Sequence, residues 1–143
     1  MTLDLARTRP DGQRQGSVLV VEDDVLVRLD ASEGLRLEGF VVYETASAED
    51  ALSLFASGFR ADVVFSDLQL AGKATGWDLR LALADSHPDV GFILTSGQEP
   101  PRGAKTQGVR FFPKPYRIGQ VANSIAKEIE RQNDGIGRDD GSP

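Results

Sequence analysis

The chain has 143 residues, 22 acidic side chains against 16 basic ones, a formal charge of −6, no cysteine and one histidine. That length is one domain with room for a sizeable core, and the acidic balance argues against a nucleic-acid or anionic-membrane binder. The missing cysteine removes disulfide scaffolds, cysteine-held zinc and thiol nucleophiles, and a lone histidine removes a multi-histidine metal centre. No apolar run approaches the roughly 18 residues of a membrane span, and Met1–Asp11 lacks the apolar stretch of a signal peptide. The expectation is a cytoplasmic domain with no membrane or direct nucleic-acid contact.

Met1–Gly16 is polar and broken by Pro10, Gly12 and Gly16, and Asp134–Pro143 is rich in glycine and aspartate. Neither segment can bury an apolar face, so both are expected to be disordered tails around a domain at 17–133. Within it, Val18–Val21 is an apolar run followed by Glu22, Asp23 and Asp24. Leu26, Leu29 and Glu33–Leu37 predict a helix that stops before Gly39, a good position for a left-handed cap. Phe40–Tyr43 is a second run. Ser47 then caps a helix over Ala48–Phe55, with Asp50 at the capping-box position and Gly58 past the end.

Val63–Phe65 is a third run and leads into Ser66 and Asp67; Trp77–Ala84 is a third helix. Val90–Leu94 is a fourth run and ends in Thr95, Ser96 and Gly97. The next segment carries Pro100, Pro101 and Gly103 without an apolar stripe, so a helix there is short or loosely packed. Val109–Phe112 is a fifth run, followed by Pro113, Lys114 and Pro115. Ile118, Val121, Ala122, Ile125 and Ile129 share one face of a long last helix. Continuous rather than alternating apolar runs suit strands covered on both faces. Five such βα units predict an α/β fold with a doubly wound parallel sheet.

In open sheets of this kind, chemistry gathers at the carboxyl ends of the strands. There the topology collects Glu22 and Asp23, Asp67, Thr95 and Lys114. Taken singly, Glu22-Asp23-Asp24 is a solvated turn with Asp24 as helix cap, Asp67 another cap, Thr95 a strand-end hydroxyl and Lys114 a surface lysine. Taken together, crowded carboxylates call for a cation, and an all-oxygen set of one or two carboxylates suits Mg²⁺ better than Ca²⁺. A phosphoryl group on Asp67 would then meet a cation, an ammonium and a hydroxyl around its oxygens.

Val18-Leu19-Val20-Val21-Glu22-Asp23-Asp24, Val63-Val64-Phe65-Ser66-Asp67, Ile93-Leu94-Thr95-Ser96-Gly97 and Phe112-Pro113-Lys114-Pro115-Tyr116, in this order, resemble the receiver domain of bacterial two-component response regulators. The resemblance covers essentially all of 17–131 and implies a stand-alone, flavodoxin-like (βα)5 domain with strand order 2-1-3-4-5. It implies Asp67 as phosphoacceptor, Asp23 as direct Mg²⁺ ligand, Glu22 acting on the metal through water, and the Gln69 backbone carbonyl as a further ligand. Thr95 is the implied switch hydroxyl, Lys114 its partner lysine, and Phe111 the aromatic rotamer switch. The implied phosphoryl donor is a sensor histidine kinase or a histidine phosphotransfer protein, and the signal would leave through contacts with an unknown downstream protein.

The sequence departs from the family pattern in three places. Ala71 stands where a proline is usual, and Gly76 comes one residue late. The stretch from Thr95 to Lys114 is shorter by about three residues, close to one helical turn. Phe111 has no hydroxyl, so a switch there works by packing alone. Ser96–Gly108 is therefore the expected mobile element, ordering or loosening as Thr95 moves. Two other functions fit the same residues: an aspartate-nucleophile phosphatase of the haloacid dehalogenase type, and a docking module that works without phosphorylation. The first lacks its Asp-x-Asp pattern after the opening strand; the second leaves the intact Glu22, Asp23, Asp67, Thr95 and Lys114 without a role. Trp77 is expected to be packing, His87 incidental, and Arg28, Arg36 and Arg60 solvated.

Overall fold

The computed structural model describes residues 16–98 and 108–141, with side chains of the last helix described through Asn133. Strands β1 (Ser17–Val21), β2 (Val41–Thr45), β3 (Val63–Asp67), β4 (Gly91–Ser96) and β5 (Arg110–Pro113) form one parallel sheet in the order β2-β1-β3-β4-β5. The described helices are α1 (Val25–Leu37), α2 (Ala48–Ala56), α3 (Gly76–Ser86) and α4 (Ile118–Gly141). The expected sheet and strand order are thus present. The segment 99–107, and with it most of the expected mobile element, lies outside the described residues, as do 1–15 of the expected N-terminal tail.

Side-chain alternation along each strand divides the core in two. Val18, Val20, Val63, Phe65, Ile93 and Phe112 pack with Ala31 and Leu35 of α1 and Val121, Ala122, Ile125 and Ile129 of α4. Leu19, Val21, Val64, Phe92 and Leu94 pack with Ala48, Ala51 and Phe55 of α2 and Leu79 and Leu83 of α3. This explains why the runs at β1, β3 and β4 are continuous: both faces are buried. The reading fails at the edges. In β2, Val41 and Tyr43 are exposed while Val42 is buried, because an edge strand here has only one covered face.

Local signals set the helix ends. Asp24 caps α1 by accepting from the Val27 N–H, and Ser47 caps α2 by accepting from the Asp50 N–H. Thr75 and Asp78 form a reciprocal capping box at α3. Gly39 and Gly58 end α1 and α2 with φ of 103° and 101°, a region that favours glycine. The leucines that mark α1 in the sequence face outward: Leu26 and Leu37 are 78% and 79% exposed. The helix instead buries Ala31, Ser32 and Leu35. Its small residues permit a close approach to α4: a Cβ on Gly34 would lie 2.9 Å from Ile118 Cγ1.

Regular backbone reaches both boundaries drawn from composition. Gly16 is buried, and its carbonyl accepts from the Val41 N–H, so the sheet begins to be tied there. The backbone of α4 remains helical past residue 133, where composition puts the start of a tail. Extending an existing helix fixes one residue per added hydrogen bond, which is far easier than starting one. Among the described residues no helix is long and apolar enough to cross a membrane.

Gly76 positions the first turn of α3 directly on the strand below. A Cβ at Gly76 would fall 2.2 Å from the Asp67 carbonyl oxygen, and the Gly76 N–H donates to the Leu68 carbonyl at 2.8 Å. The extra loop residue that makes this glycine late is therefore absorbed before the contact. Gly76→Ala is expected to destabilise the domain by about 1–3 kcal/mol, the usual cost of overpacking where the opposing atom is backbone. Urea unfolding of the two proteins measures it.

Candidate functional site

The parallel register brings the expected residues to one rim. Asp67, the last residue of β3, pairs across the sheet with Thr95 of β4, and the Leu68 N–H donates to the Thr95 carbonyl at 2.8 Å. Glu22 follows β1 directly, its N–H bonded to the Thr45 carbonyl at 3.1 Å. Lys114 follows β5, its N–H bonded to the Ser96 carbonyl at 2.9 Å, with a cis peptide to Pro115. Each residue is thus held by the sheet's own hydrogen bonding, and Glu22 and Asp67 flank the switch point between β1 and β3, on either side of which the connections run in opposite directions.

Glu22, Asp23 and Asp67 bring one carboxylate oxygen each within 4.8 Å of one another. Glu22 and Asp67 are buried, and Asp23 is exposed. Lys114 Nζ lies 2.9 Å from Asp67 Oδ2 and 3.4 Å from Glu22 Oε1. Asp67 Oδ1 accepts from the Gln69 N–H at 3.1 Å, so the expected phosphoacceptor is oriented on both oxygens. Glu22 Oε2 accepts from the Asp24 N–H at 3.1 Å. Asp24 itself turns away to cap α1, which combines the plain cap reading with the functional one.

The electrostatics follow from burial. Desolvation pushes the Glu22 carboxyl up to about 7; the Asp24 N–H offsets part of this, and the neighbouring Asp67 charge adds to it. Burial pulls the Lys114 ammonium down, but its hydrogen bond to Asp67 and the charges of Asp67 and Glu22 outweigh it, so the net shift is upward. Burial also pushes the Tyr116 hydroxyl up to about 12, and its ring packs edge-on against Phe65. The site therefore presents crowded carboxylates with one ammonium between them.

These residues fit a hard divalent cation: the three side chains offer only oxygen, and exposed Asp23 leaves room for retained water. Thr95 carries the second clue. Its Oγ1 is buried and has no hydrogen-bond partner, although the residue is only 2% exposed. Buried hydroxyls are normally satisfied, so this one has spare bonding capacity beside Asp67. Gln69 is exposed and begins the loop after Asp67. Phe111 lies apart from the cluster, half-buried in the core layer under α2 and α3, and pairs in register with Leu94.

Sequence reasoning misplaced Arg28. It is not on a solvated face: its side chain donates to the Glu22 carbonyl at 2.8 Å and pairs with Glu44 at 3.3 Å, bracing the acidic turn from α1. Arg36 joins it through Glu44 and the Val42 carbonyl. Glu49, on the first turn of α2, was missed altogether. Trp77 packs against the second core layer as expected, and His87 contacts the Phe55 ring at the end of α3. Arg60 is exposed, as expected.

A family model described as the response regulator receiver domain matches residues 18–126. The sensor kinase CckA of Brucella abortus (strain 2308) is 32% identical over 122 residues, which is 82% of this chain but 13% of that protein. The receiver domain of the hybrid histidine kinase CckA superimposes with a TM-score of 0.68 at 29% identity, over 80% of this chain and 99% of that one. A response regulator receiver domain protein from Clostridium thermocellum superimposes with a TM-score of 0.75 at 20% identity, over 82% of this chain and 97% of that one.

Proposed function

Because this chain belongs to the response regulator receiver domain family, we propose that Asp67 takes a phosphoryl group from a phosphohistidine on a sensor histidine kinase or a histidine phosphotransfer protein. Asp23 and Asp67 hold Mg²⁺ in this reading, with Glu22 acting through water and the Gln69 carbonyl completing the set. When bound, Mg²⁺ supplies positive charge against the phosphoryl oxygens. The receiver unit spans 17–133 and works in the cytoplasm.

An Asp67 carboxylate oxygen attacks phosphorus, the phosphorus–nitrogen bond breaks, and the donor imidazole keeps the electron pair. The Lys114 ammonium, already hydrogen-bonded to Asp67, neutralises charge that builds on the transferring group. The Thr95 hydroxyl donates to a phosphoryl oxygen. The observation that carries this reading is the unpartnered Thr95 hydroxyl buried beside a lysine-bonded aspartate.

Once Thr95 turns toward the phosphoryl group, the core at the β4–β5 edge rearranges, and half-buried Phe111 is the aromatic that repacks. The donor surface is supplied by α1. Val25, Leu26 and Leu29 are exposed apolar residues just after the acidic turn, and such surface marks interaction sites. A phosphatase acting on small esters is the less favoured reading, since the Lys114-bonded aspartate ends β3 and not the opening strand.

The test is a Mg²⁺ titration followed by melting temperature. Saturation to ten times the dissociation constant adds about 1.4 kcal/mol of stability to a protein that binds only when folded. Wild type is expected to gain this, and Asp23→Ala to gain nothing. A wild-type transition indifferent to millimolar Mg²⁺ would overturn the metal assignment.

A further inference from the structure

The loop that leaves Asp67 runs from Leu68 to Thr75 before α3 begins. Its ends are tied within the site: the Gln69 N–H donates to Asp67 Oδ1, and the Gly76 N–H donates to the Leu68 carbonyl. Its middle has no ring-constrained residue, since Ala71 leaves φ free. There the loop is held from outside. Glu49 Oε2, on the first turn of α2, accepts from the Lys73 N–H at 3.2 Å and the Ala74 N–H at 3.0 Å.

The fit between carboxylate and loop is close. Gly72 takes φ +97°, and a Cβ there would lie 3.0 Å from Glu49 Oε1. Consecutive N–H groups after a left-handed residue make an anion-binding nest, and this one is filled by the protein's own carboxylate. The bonds hold Glu49 below the usual carboxylate range, through its own backbone N–H first and that of Ala74 next. Glu49 is exposed, so neither core packing nor burial explains the arrangement.

We propose that Glu49 is a positioning residue for the phosphorylation site, fixing from α2 the loop whose Gln69 N–H orients Asp67. This rests on the reading that the site binds a divalent cation. Groups that orient metal ligands from behind typically contribute ten- to a hundredfold to affinity, and Glu49, acting through a loop, belongs at about the lower figure.

The experiment compares wild type, Glu49→Ala and Ala56→Gly in two measurements: amide hydrogen exchange at Lys73 and Ala74, and Mg²⁺ affinity read from fluorescence of Trp77, the single tryptophan, which follows the loop directly. Ala56→Gly weakens α2 at its far, exposed end and lowers the melting temperature without touching the turn that carries Glu49. Glu49→Ala removes the acceptor of both N–H groups and is expected to speed exchange at both amides and weaken Mg²⁺ binding by about tenfold. Ala56→Gly is expected to leave both at wild-type values. Unchanged exchange in Glu49→Ala overturns the proposal, as does faster exchange with wild-type Mg²⁺ affinity. An equal loss of affinity in Ala56→Gly overturns it too, by making the effect one of helix stability. If wild type itself ignores Mg²⁺ while Glu49 still protects the two amides, the cation reading has failed and this proposal falls with it; the exchange measurement tells that case apart.

Discussion

Asp67→Asn is expected to take up no phosphoryl group from acetyl phosphate and Mg²⁺, measured by intact mass, while keeping the wild-type fold. An amide is nearly the same shape as a carboxylate. Its oxygen can still accept from the Gln69 N–H, which lies 3.1 Å from Asp67 Oδ1. It has no anionic oxygen to attack phosphorus, and no neighbour supplies one in the same place: Glu22 is engaged by the Asp24 N–H, and Asp23 is exposed. The loss is therefore complete and not graded. Residual phosphorylation of this variant at the wild-type rate would mean that another residue is the acceptor.

Lys114→Ala is expected to separate two properties that a damaged fold would lose together. The ammonium is 2.9 Å from Asp67 and 3.4 Å from Glu22, and it is the cation that balances them. Removing it leaves the carboxylates facing each other, so the field favouring a divalent cation grows and Mg²⁺ binds more tightly. Phosphoryl transfer loses its charge-neutralising donor in a partly buried site, where one such donor is worth about 10²–10³ in rate. Tighter Mg²⁺ with slower phosphorylation is the expected pair. Weaker binding together with slower transfer would assign Lys114 a structural role.

Much of this was legible in the sequence because parallel strands repeat one arrangement. Each buried run points its carboxyl end to the same rim, so the polar residues that end or follow the runs are candidates to meet there once the sheet is inferred. Asp67, Thr95 and Lys114 follow from that rule, and the register pairing of Asp67 with Thr95 is its physical expression. Edge effects were not legible in the apolar pattern, although the strand order that the resemblance implies puts β2 at an edge. The β2 run reads as buried although Val41 and Tyr43 are exposed, because apolar periodicity does not say which strand is last in a sheet. The outward leucines of α1 mislead for a related reason: the buried face of that helix is made of Ala31, Ser32 and Leu35, and the bare Gly34 beside them lets α4 approach.

The residues that brace the site were harder still. Arg28 and Glu49 act on backbone atoms, Arg28 on the Glu22 carbonyl six residues back and Glu49 on the Lys73 and Ala74 N–H groups 24 and 25 residues on. A side chain bonding to backbone leaves no complementary residue type in the sequence to pair it with. Gly76 is an intermediate case. Its lateness against the family pattern was visible, but its reason, a backbone contact with the Asp67 carbonyl, needed the fold.

The central claim is that a phosphoryl group is carried on one carboxylate at the end of β3. Borohydride reduction addresses it directly, because hydride converts an acyl phosphate to the alcohol and releases phosphate, marking the aspartate as homoserine. Protein treated with acetyl phosphate and Mg²⁺, reduced and mapped by peptide mass spectrometry, is predicted to carry homoserine at position 67 alone and none when Mg²⁺ is withheld. Homoserine at Asp23 or Asp24, or unmodified Asp67 in protein that has gained phosphate, would contradict the account.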